Sequence, residues 1–220
     1  AFAGLGNPVA RGEVLAHMFA GSGDTLVYTT SDKVIAYDPR SKKSFSLSVT
    51  DSDNFATSLS TGDLTGDGFD DVVIGSASGV RVLSAVDPND LNKGIRMGPL
   101  TKADRAQQPN AIGDFSGRGR NEIAQIVSAA DGDIYLFSVN SDTLEASRIG
   151  QWKSTASPPR ASDRGENLVV GHFYSTTQDQ LLFGKTGFPG HSTLRTRQPG
   201  IAGLRQISAA ESTKSGRLHD

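Results

Sequence analysis

A glycine- and aspartate-rich segment recurs along this chain at a spacing that few folds accommodate. Its clearest copy, residues 62–71, reads GDLTGDGFDD and runs directly into the apolar residues 72–74. Residues 113–123 match it position for position, residues 171–181 keep the frame with fewer acids, and residues 16–26 are the least similar copy. The first loop positions, which are separated by 46, 51 and 58 residues, are His17, Asp63, Asp114 and His172. Repeats of this length usually correspond to supersecondary units that pack against their neighbours.

Each repeat follows the same order of predicted elements. In the clearest copy, a short strand over 55–61 leads into the loop, an apolar strand leaves it, a turn follows at 76–79, and an alternating strand occupies 80–83. Short apolar runs between turn residues indicate strands, and helical periodicity is almost absent; residues 87–92 allow one helical turn at most. The pattern predicts an all-β fold, a β-propeller of four-stranded antiparallel blades.

The repeats also predict how the chain is divided. We expect one propeller domain over 1–220, with blade units near 14–54, 55–105, 106–163 and 164–204. Residues 205–220 align with 55–70, so a fifth unit is expected to start there, within a larger propeller of about seven blades. The alternative is a four-bladed propeller whose tail resembles a repeat without being one. Residues 102–109 and 154–166 are expected to form irregular loops.

Alternate residues of the clearest loop carry oxygen atoms at a spacing suited to a hard cation. Calcium takes six to eight oxygen ligands from carboxylates, hydroxyls, carbonyls and water. The predicted ligands are Asp63, Thr65, Asp67, the backbone carbonyl of Phe69, and Asp71. Gly66 and Gly68 permit the positive φ values that such a tight loop requires. An EF-hand would need glutamate at its twelfth position, where this chain has Ile74, so the alternative is an aspartate-rich turn without metal.

A loop of this kind followed by a strand resembles the FG-GAP/VCBS repeat, the calcium loop of integrin-α-type β-propellers. The resemblance covers most of the chain and is strongest in the loop that begins at Asp63. It implies a calcium-stabilised propeller that serves as a platform for recognising a protein or glycan ligand, as in cell adhesion. Because the family's acids are complete only in this loop, the resemblance implies that calcium is structural rather than regulatory.

The other loops have lost most of the predicted ligands. In the second loop Arg118 replaces the central acid, and we expect its guanidinium to bridge Asp114 and Glu122 in place of a metal; a solvated charge cluster is the alternative. His17 and His172 are expected to be structural histidines bonded to the turn backbone. Asp or Asn recurs at the eighth loop position, where it is expected to accept backbone N–H bonds and hold its turn. These residues are Asp24, Asp70, Asn121 and Asp179.

Composition argues against several classes of partner and compartment. The formal net charge is −2 at pH 7 with both signs interspersed, which gives no electrostatic basis for binding nucleic acid. Without cysteine, disulfides and thiolate metal sites are excluded, and no apolar run is long enough to insert through a bilayer. Calcium loops of modest affinity suit calcium-rich surroundings. We therefore expect an extracellular or secreted protein, with the periplasm as the alternative.

Motifs of catalysis are missing from the sequence. Residues 75–79 have Ala77 where a nucleophile elbow needs serine, and neither a P-loop nor a His-Glu-x-x-His motif occurs. The sequence therefore favours a non-catalytic binding module. Two alternatives stay open: a catalytic propeller such as a calcium-assisted polysaccharide lyase, and a structural propeller segment that another chain completes.

Overall fold

A computed structural model describes residues 12–49, 58–76, 78–103, 110–126, 134–152, 165–171, 179–187, 191–197 and 205–207. These residues form strands joined by turns, with one 3₁₀ turn at Leu91–Lys93. The strands are β1 (Gly12–Ala16), β2 (Thr25–Thr29), β3 (Lys33–Asp38), β4 (Lys43–Ser48), β5 (Ser58–Gly62), β6 (Asp71–Ser76), β7 (Gly79–Ala85), β8 (Ile95–Met97), β9 (Thr101–Lys102), β10 (Asn110–Gly113), β11 (Glu122–Ile126), β12 (Ile134–Val139), β13 (Ala146–Trp152), β14 (Gly165–Gly171), β15 (Gln180–Gly187), β16 (His191–Arg197) and β17 (Arg205–Ile207). Within these residues, no helix is long and apolar enough to cross a membrane.

The strands form four antiparallel sheets in which consecutive strands are neighbours. The first sheet is β1-β2-β3-β4, the second β5-β6-β7-β8, the third β10-β11-β12-β13 and the fourth β14-β15-β16-β17; β9 pairs with β7 at the edge of the second sheet. Each sheet has the strand order of a propeller blade, which confirms the predicted all-β fold class. The four sheets do not close into a ring, as expected for part of a larger propeller.

The first strand of each sheet lies beside the first strand of the next sheet. Thus β1 neighbours β5, β5 neighbours β10, and β10 neighbours β14. Because the other strands follow outward in order, the sheets stand side by side with their first strands on the inside of an arc. In the first three sheets, the loop that follows each first strand therefore lies beside the loop of the neighbouring sheet.

The hydrophobic core lies between adjacent sheets rather than inside any one of them. Val72 and Ile74 of β6 pack with the buried residues of the first sheet. Val73, which points to the other face of β6, packs with Ile123 and Phe137 of the third sheet. A further cluster joins the third and fourth sheets. A strand buried on both faces reads as an unbroken apolar run, because neither set of alternating side chains faces water.

The end of the described chain differs from the predicted division into units. Residues Arg205–Ile207 form β17, which pairs with Leu194–Thr196 of β16 as the outer strand of the fourth sheet. The predicted boundary between the fourth and fifth units at 204/205 therefore falls just before a strand of the fourth sheet. Residues 208–220, the remainder of the predicted fifth unit, lie outside the described residues, as do 104–109 and 154–164 of the predicted irregular loops. The described ends of those loops are not irregular, since Lys102 lies in β9 and residues 165–166 lie in β14.

Candidate calcium loop

The clearest repeat loop joins β5 to β6, and the ladder between these strands closes its two ends. Gly62 pairs with Asp71 at the last rung of the ladder, so the chain must reverse direction within residues 63–70. Gly66 and Gly68 have φ values of 80° and 85°, in the left-handed region that glycine enters without a steric penalty. The two glycines therefore do what the sequence predicted of them.

The side chain of Asp63 organises this loop by accepting backbone hydrogen bonds. Its Oδ1 accepts the N–H groups of Gly66 and Asp67 at 2.6 and 3.2 Å, and its Oδ2 accepts the N–H of Gly68 at 2.9 Å. Asp67 Oδ1 in turn accepts the N–H of Phe69 at 2.9 Å. Three amides converging on one carboxylate wrap the backbone around the first predicted ligand, and Asp63 remains half-buried.

Asp71, the last predicted ligand, binds the start of the loop through backbone hydrogen bonds. It is only 1% exposed, and its Oδ2 accepts the N–H groups of Leu64 and Thr65, each at 2.9 Å. Burial raises the pKa of the Asp71 carboxyl; hydrogen bonds, including one with Ser84, oppose the rise, and the charge of Asp67 adds to it. A buried carboxylate beside a second negative charge is an environment that a nearby cation would stabilise.

Thr65, the second predicted ligand, has a hydroxyl without a partner. Its Oγ1 is buried and makes no hydrogen bond, although a buried hydroxyl ordinarily finds one. The loop thus contains a buried hydroxyl oxygen, that of Thr65, whose bonding capacity is unused.

Phe69, whose carbonyl is a predicted ligand, stacks its ring on His17 of the preceding loop, with centroids 5.7 Å apart and planes 21° from parallel.

The oxygen atoms of the predicted ligands are of the kind that a hard cation binds, but the carboxylate oxygens are oriented by hydrogen bonds to backbone amides. All five predicted ligands lie within one closed loop, and the buried Thr65 hydroxyl is available for coordination. Within the described part of the chain, however, no three acidic or histidine side chains converge as a metal site. The carboxylates of Asp63 and Asp71 instead face backbone amides.

The second loop is closed by backbone hydrogen bonds rather than by the expected arginine bridge. Asp114 accepts the N–H groups of Arg118 and Gly119 at 2.9 and 2.7 Å, as Asp63 does in the clearest loop. Arg118 is exposed, and among the described ion pairs none joins its guanidinium to Asp114 or Glu122. The long side chain gains more hydration in solvent than it would gain from a fixed surface pair. The predicted arginine bridge is therefore wrong.

Three of the four eighth-position residues, those that follow a preceding sheet, hold neighbouring sheets together rather than their own turns. Asp70 Oδ2 accepts the N–H of His17 at 2.8 Å, and Asp70 N–H donates to the carbonyl of His17 at 2.9 Å. The same exchange joins Asp179 to Asp114, with distances of 2.7 and 3.1 Å. We call the contact between an eighth loop residue and the first loop residue of the preceding sheet a loop clasp.

Asn121 makes the corresponding contact between the second and third sheets. Its Nδ2 donates to the carbonyl of Asp63 at 2.9 Å, so an amide replaces a carboxylate and the side chain donates instead of accepting. The acceptance of backbone N–H bonds predicted for Asp70 and Asp179 is confirmed, but its location was predicted wrongly. His17 takes part through its backbone, and His172 lies outside the described residues.

Sequence reasoning missed the loop clasp, although a signal for it was present. Asp or Asn recurs at the eighth position in all four copies, and a small residue always precedes the first position: Ala16, Gly62, Gly113 and Gly171. A small residue at a fixed position of a repeat indicates the close approach of a neighbouring group. Which group approaches depends on the packing of the sheets, which the repeat alone does not reveal.

Residues 55–88, which include β5, the calcium loop candidate, β6 and β7, match the family model of the FG-GAP repeat. This stretch is an FG-GAP repeat. The match begins three residues before β5 and ends three residues after β7, so it covers the loop and three of the four strands in this blade-like sheet. No curated protein matches the chain. An FG-GAP repeat within an array of blade-like sheets indicates a β-propeller module of the recognition or adhesion type.

Proposed function

We propose that this chain is a non-catalytic, calcium-stabilised propeller module that recognises a protein or glycan ligand outside the cell. The observation that carries the calcium part is the FG-GAP loop itself, where five oxygen donors lie in one closed turn and the buried Thr65 hydroxyl has no partner. A hard cation takes such neutral and charged oxygens together. A loop with few acids is expected to bind calcium with modest affinity, so we propose an extracellular setting, where calcium is abundant.

The bonds that the carboxylates already make are compatible with this proposal. An ionised carboxylate has about four lone-pair sites, so Asp63 retains acceptor capacity beyond its three amides. A cation beside Asp71 would also offset the burial and the charge of Asp67 that raise the pKa of this carboxyl. Calcium would supply positive charge and a coordination centre, while the residues of the loop supply the oxygen atoms and the fixed turn.

The recognition part of the proposal rests on how the loops are placed. Loop clasps set the first three repeat loops against one another, so these loops form a continuous row along one edge of the described arc. Residues 66–68 and 117–120 are exposed along this row. Loops held by a rigid scaffold are the usual place for binding residues, and this row is the surface that we propose contacts the ligand.

The calcium proposal is tested by thermal unfolding with calcium and with a chelator. A ligand that binds the folded state stabilises it by mass action, so wild type is expected to melt at a higher temperature in calcium. Asp67→Ala is expected to abolish this difference. Arg118→Ala, at the same position of the second loop, is the matched control and should respond to calcium as wild type does. Equal melting temperatures of wild type in calcium and in chelator would refute the calcium site.

The recognition proposal needs a separate experiment. Wild type and a variant carrying Asp67→Ser and Arg118→Ser would be applied to glycan and extracellular-protein arrays. Binding that wild type shows and the variant loses, with both proteins folded, would support the loop row as the recognition surface. Binding that is unchanged in the variant would place recognition elsewhere. Turnover of uronic-acid polymers by wild type would instead favour the catalytic alternative.

A further inference from the structure

We propose that two residues outside the predicted ligand set, Asn121 and Asp70, are positioning residues of the candidate calcium loop (residues 63–71), a role that rests on the proposed calcium site. Through them, calcium binding is coupled to the packing of the second sheet against both of its neighbours. Calcium holds its oxygen ligands at roughly 2.3–2.6 Å, so its affinity depends on where the backbone that carries these ligands is held. Contacts with other sheets hold this backbone at both ends of the loop.

The third sheet holds the start of the loop. Asn121 Nδ2 donates to the carbonyl of Asp63 at 2.9 Å, while the carboxylate of Asp63 accepts three amides of its own loop. A Cβ on Gly62 would lie 2.8 Å from Ile112 Cγ2 and 3.7 Å from Asn121 Nδ2. The third sheet therefore packs closely on the two residues that open the loop, and it fixes the backbone of the first predicted ligand.

The first sheet holds the end of the loop. Asp70 lies between two predicted ligands, the carbonyl of Phe69 and the carboxylate of Asp71. It exchanges hydrogen bonds of 2.8 and 2.9 Å with the backbone of His17, and the ring of Phe69 stacks on the ring of His17 with centroids 5.7 Å apart. A displacement of the first sheet relative to the second would therefore move the backbone between the last two ligands.

The contacts at both ends act in two directions. The neighbouring sheets hold the carbonyl of Asp63 and the backbone of Asp70, and so preorganise the oxygen atoms of the loop. A cation that fixes the loop would in turn fix the groups that these sheets bind. Such coupling between two binding events is reciprocal, because both belong to one thermodynamic cycle. Calcium is therefore expected to strengthen both junctions, and loss of either contact is expected to weaken calcium binding.

The junction of the third and fourth sheets supplies a matched control. Asp179 occupies the same loop position as Asp70 and makes the same exchange with the backbone of Asp114, at 2.7 and 3.1 Å. Neither residue belongs to the candidate calcium loop. Asp179→Ala therefore removes a contact of the same kind from a junction that does not hold the predicted ligands.

Isothermal titration with calcium tests the proposal on the whole chain, at a temperature where circular dichroism shows every variant to be folded. Asn121→Ala and Asp70→Ala are each expected to weaken calcium binding by about threefold to tenfold, the range that one hydrogen bond contributes. Asp179→Ala should leave the affinity unchanged. A purely structural role would lower the melting temperatures of all three variants in chelator without changing the calcium affinity of the folded protein.

A fourth variant separates the hydrogen bond of Asp70 from its charge. Asp70→Asn removes the negative charge but keeps a side-chain carbonyl that can accept the N–H of His17. It should therefore bind calcium more tightly than Asp70→Ala does. Equal affinities of these two variants would show that the charge of Asp70, and not its contact with the first sheet, acts on the calcium site.

Amide hydrogen exchange gives a second readout, because it reports local opening residue by residue. In wild type, calcium is expected to slow exchange of the His17 N–H, which lies in the first sheet and outside the loop. In Asp70→Ala this amide has lost its acceptor, so calcium should no longer protect it. Protection by calcium that is confined to residues 63–71 would overturn the coupling to the first sheet.

The outcomes distinguish this proposal from the calcium site on which it rests. If wild type binds calcium and Asn121→Ala binds it as tightly as Asp179→Ala does, the coupling is overturned while the calcium site remains. If wild type shows no calcium binding, the calcium site is overturned and the coupling with it. Weaker binding by Asn121→Ala alone among the uncharged substitutions at the third sheet's contacts cannot arise from a lost charge, because an amide is replaced, and it would support the proposal.

Discussion

Asp70 and His17 lie 53 residues apart in the sequence and exchange two hydrogen bonds across the junction of the first and second sheets. The carboxylate of Asp70 accepts the N–H of His17, while the N–H of Asp70 donates to the carbonyl of His17. Asp179 and Asp114 repeat this geometry at the junction of the third and fourth sheets. Each pair ties together two sheets that also pack through apolar side chains.

Loss of the Asp70 carboxylate is expected to weaken the first junction. Asp70→Ala should lower the free energy of unfolding by about 1 kcal/mol, because the backbone N–H of His17 loses a charged acceptor at an exposed site. Asp24→Ala removes the same side chain at the same loop position of the first sheet, where the residue is exposed, and is the control, for which little change is expected. Denaturant unfolding in the presence of chelator measures both. Equal effects of the two substitutions would show that the clasp adds no stability.

A side chain at Gly62 is expected to separate the second and third sheets. Gly62→Ala should destabilise the protein by about 1–3 kcal/mol, because its Cβ would meet Ile112 Cγ2 at 2.8 Å. Ile112→Ala removes that atom, so the double variant should lose less stability than the sum of the single variants. The free energies of unfolding of the two single variants and the double variant, each compared with wild type, give the coupling energy between Gly62 and Ile112. Strict additivity would mean that Gly62 is required for its own conformation and not for the approach of Ile112.

Two non-glycine residues with a positive φ are expected to respond differently to glycine. Lys42 and Leu144 both adopt a positive φ, 60° and 57°. Lys42 is exposed, so Lys42→Gly should leave stability unchanged or raise it by up to about 1 kcal/mol. Leu144 is 1% exposed within the core between the second and third sheets, so Leu144→Gly should cost about 3–5 kcal/mol. Thermal unfolding distinguishes them, and a large loss for Lys42→Gly would contradict this account.

The turn after β3 is expected to make stability depend on acid pH. Burial raises the pKa of Asp38, but hydrogen bonds from Ser41 and Arg40 and the charge of Arg40 outweigh it and hold the pKa below the ordinary 3.8. A group with a lowered folded pKa stabilises the protein above its unfolded pKa and loses this effect as the pH falls through the folded pKa. Asp38→Asn should therefore be less stable than wild type at neutral pH.

The same variant should lose its deficit in acid. Below the folded pKa of Asp38 the wild-type carboxyl is protonated, so wild type and Asp38→Asn should unfold at similar denaturant concentrations. Asp24→Asn, at an exposed aspartate, serves as the control and should track wild type throughout. A difference between Asp38→Asn and wild type that is independent of pH would show that shape, and not charge, stabilises this turn.

Much of the fold was predictable because its signals are local. The apolar run Val72–Ile74 reads as a strand in any context, and Gly66 and Gly68 announce the left-handed turns that the structure contains. The family resemblance was confirmed for residues 55–88. The role of Arg118 was predicted wrongly, because opposite charges close in sequence suggested a bridge while the backbone amides of the same loop were already available to Asp114.

The sequence by itself determined the repeat, the strand order within each sheet and the set of oxygen atoms in the FG-GAP loop, since each depends on residues within one unit. Only the tertiary structure decided which partners Asp70, Asn121 and Asp179 find, and that Arg205–Ile207 completes the fourth sheet. Those outcomes depend on how closely neighbouring sheets approach, which is set by side-chain packing between units rather than by the pattern within them.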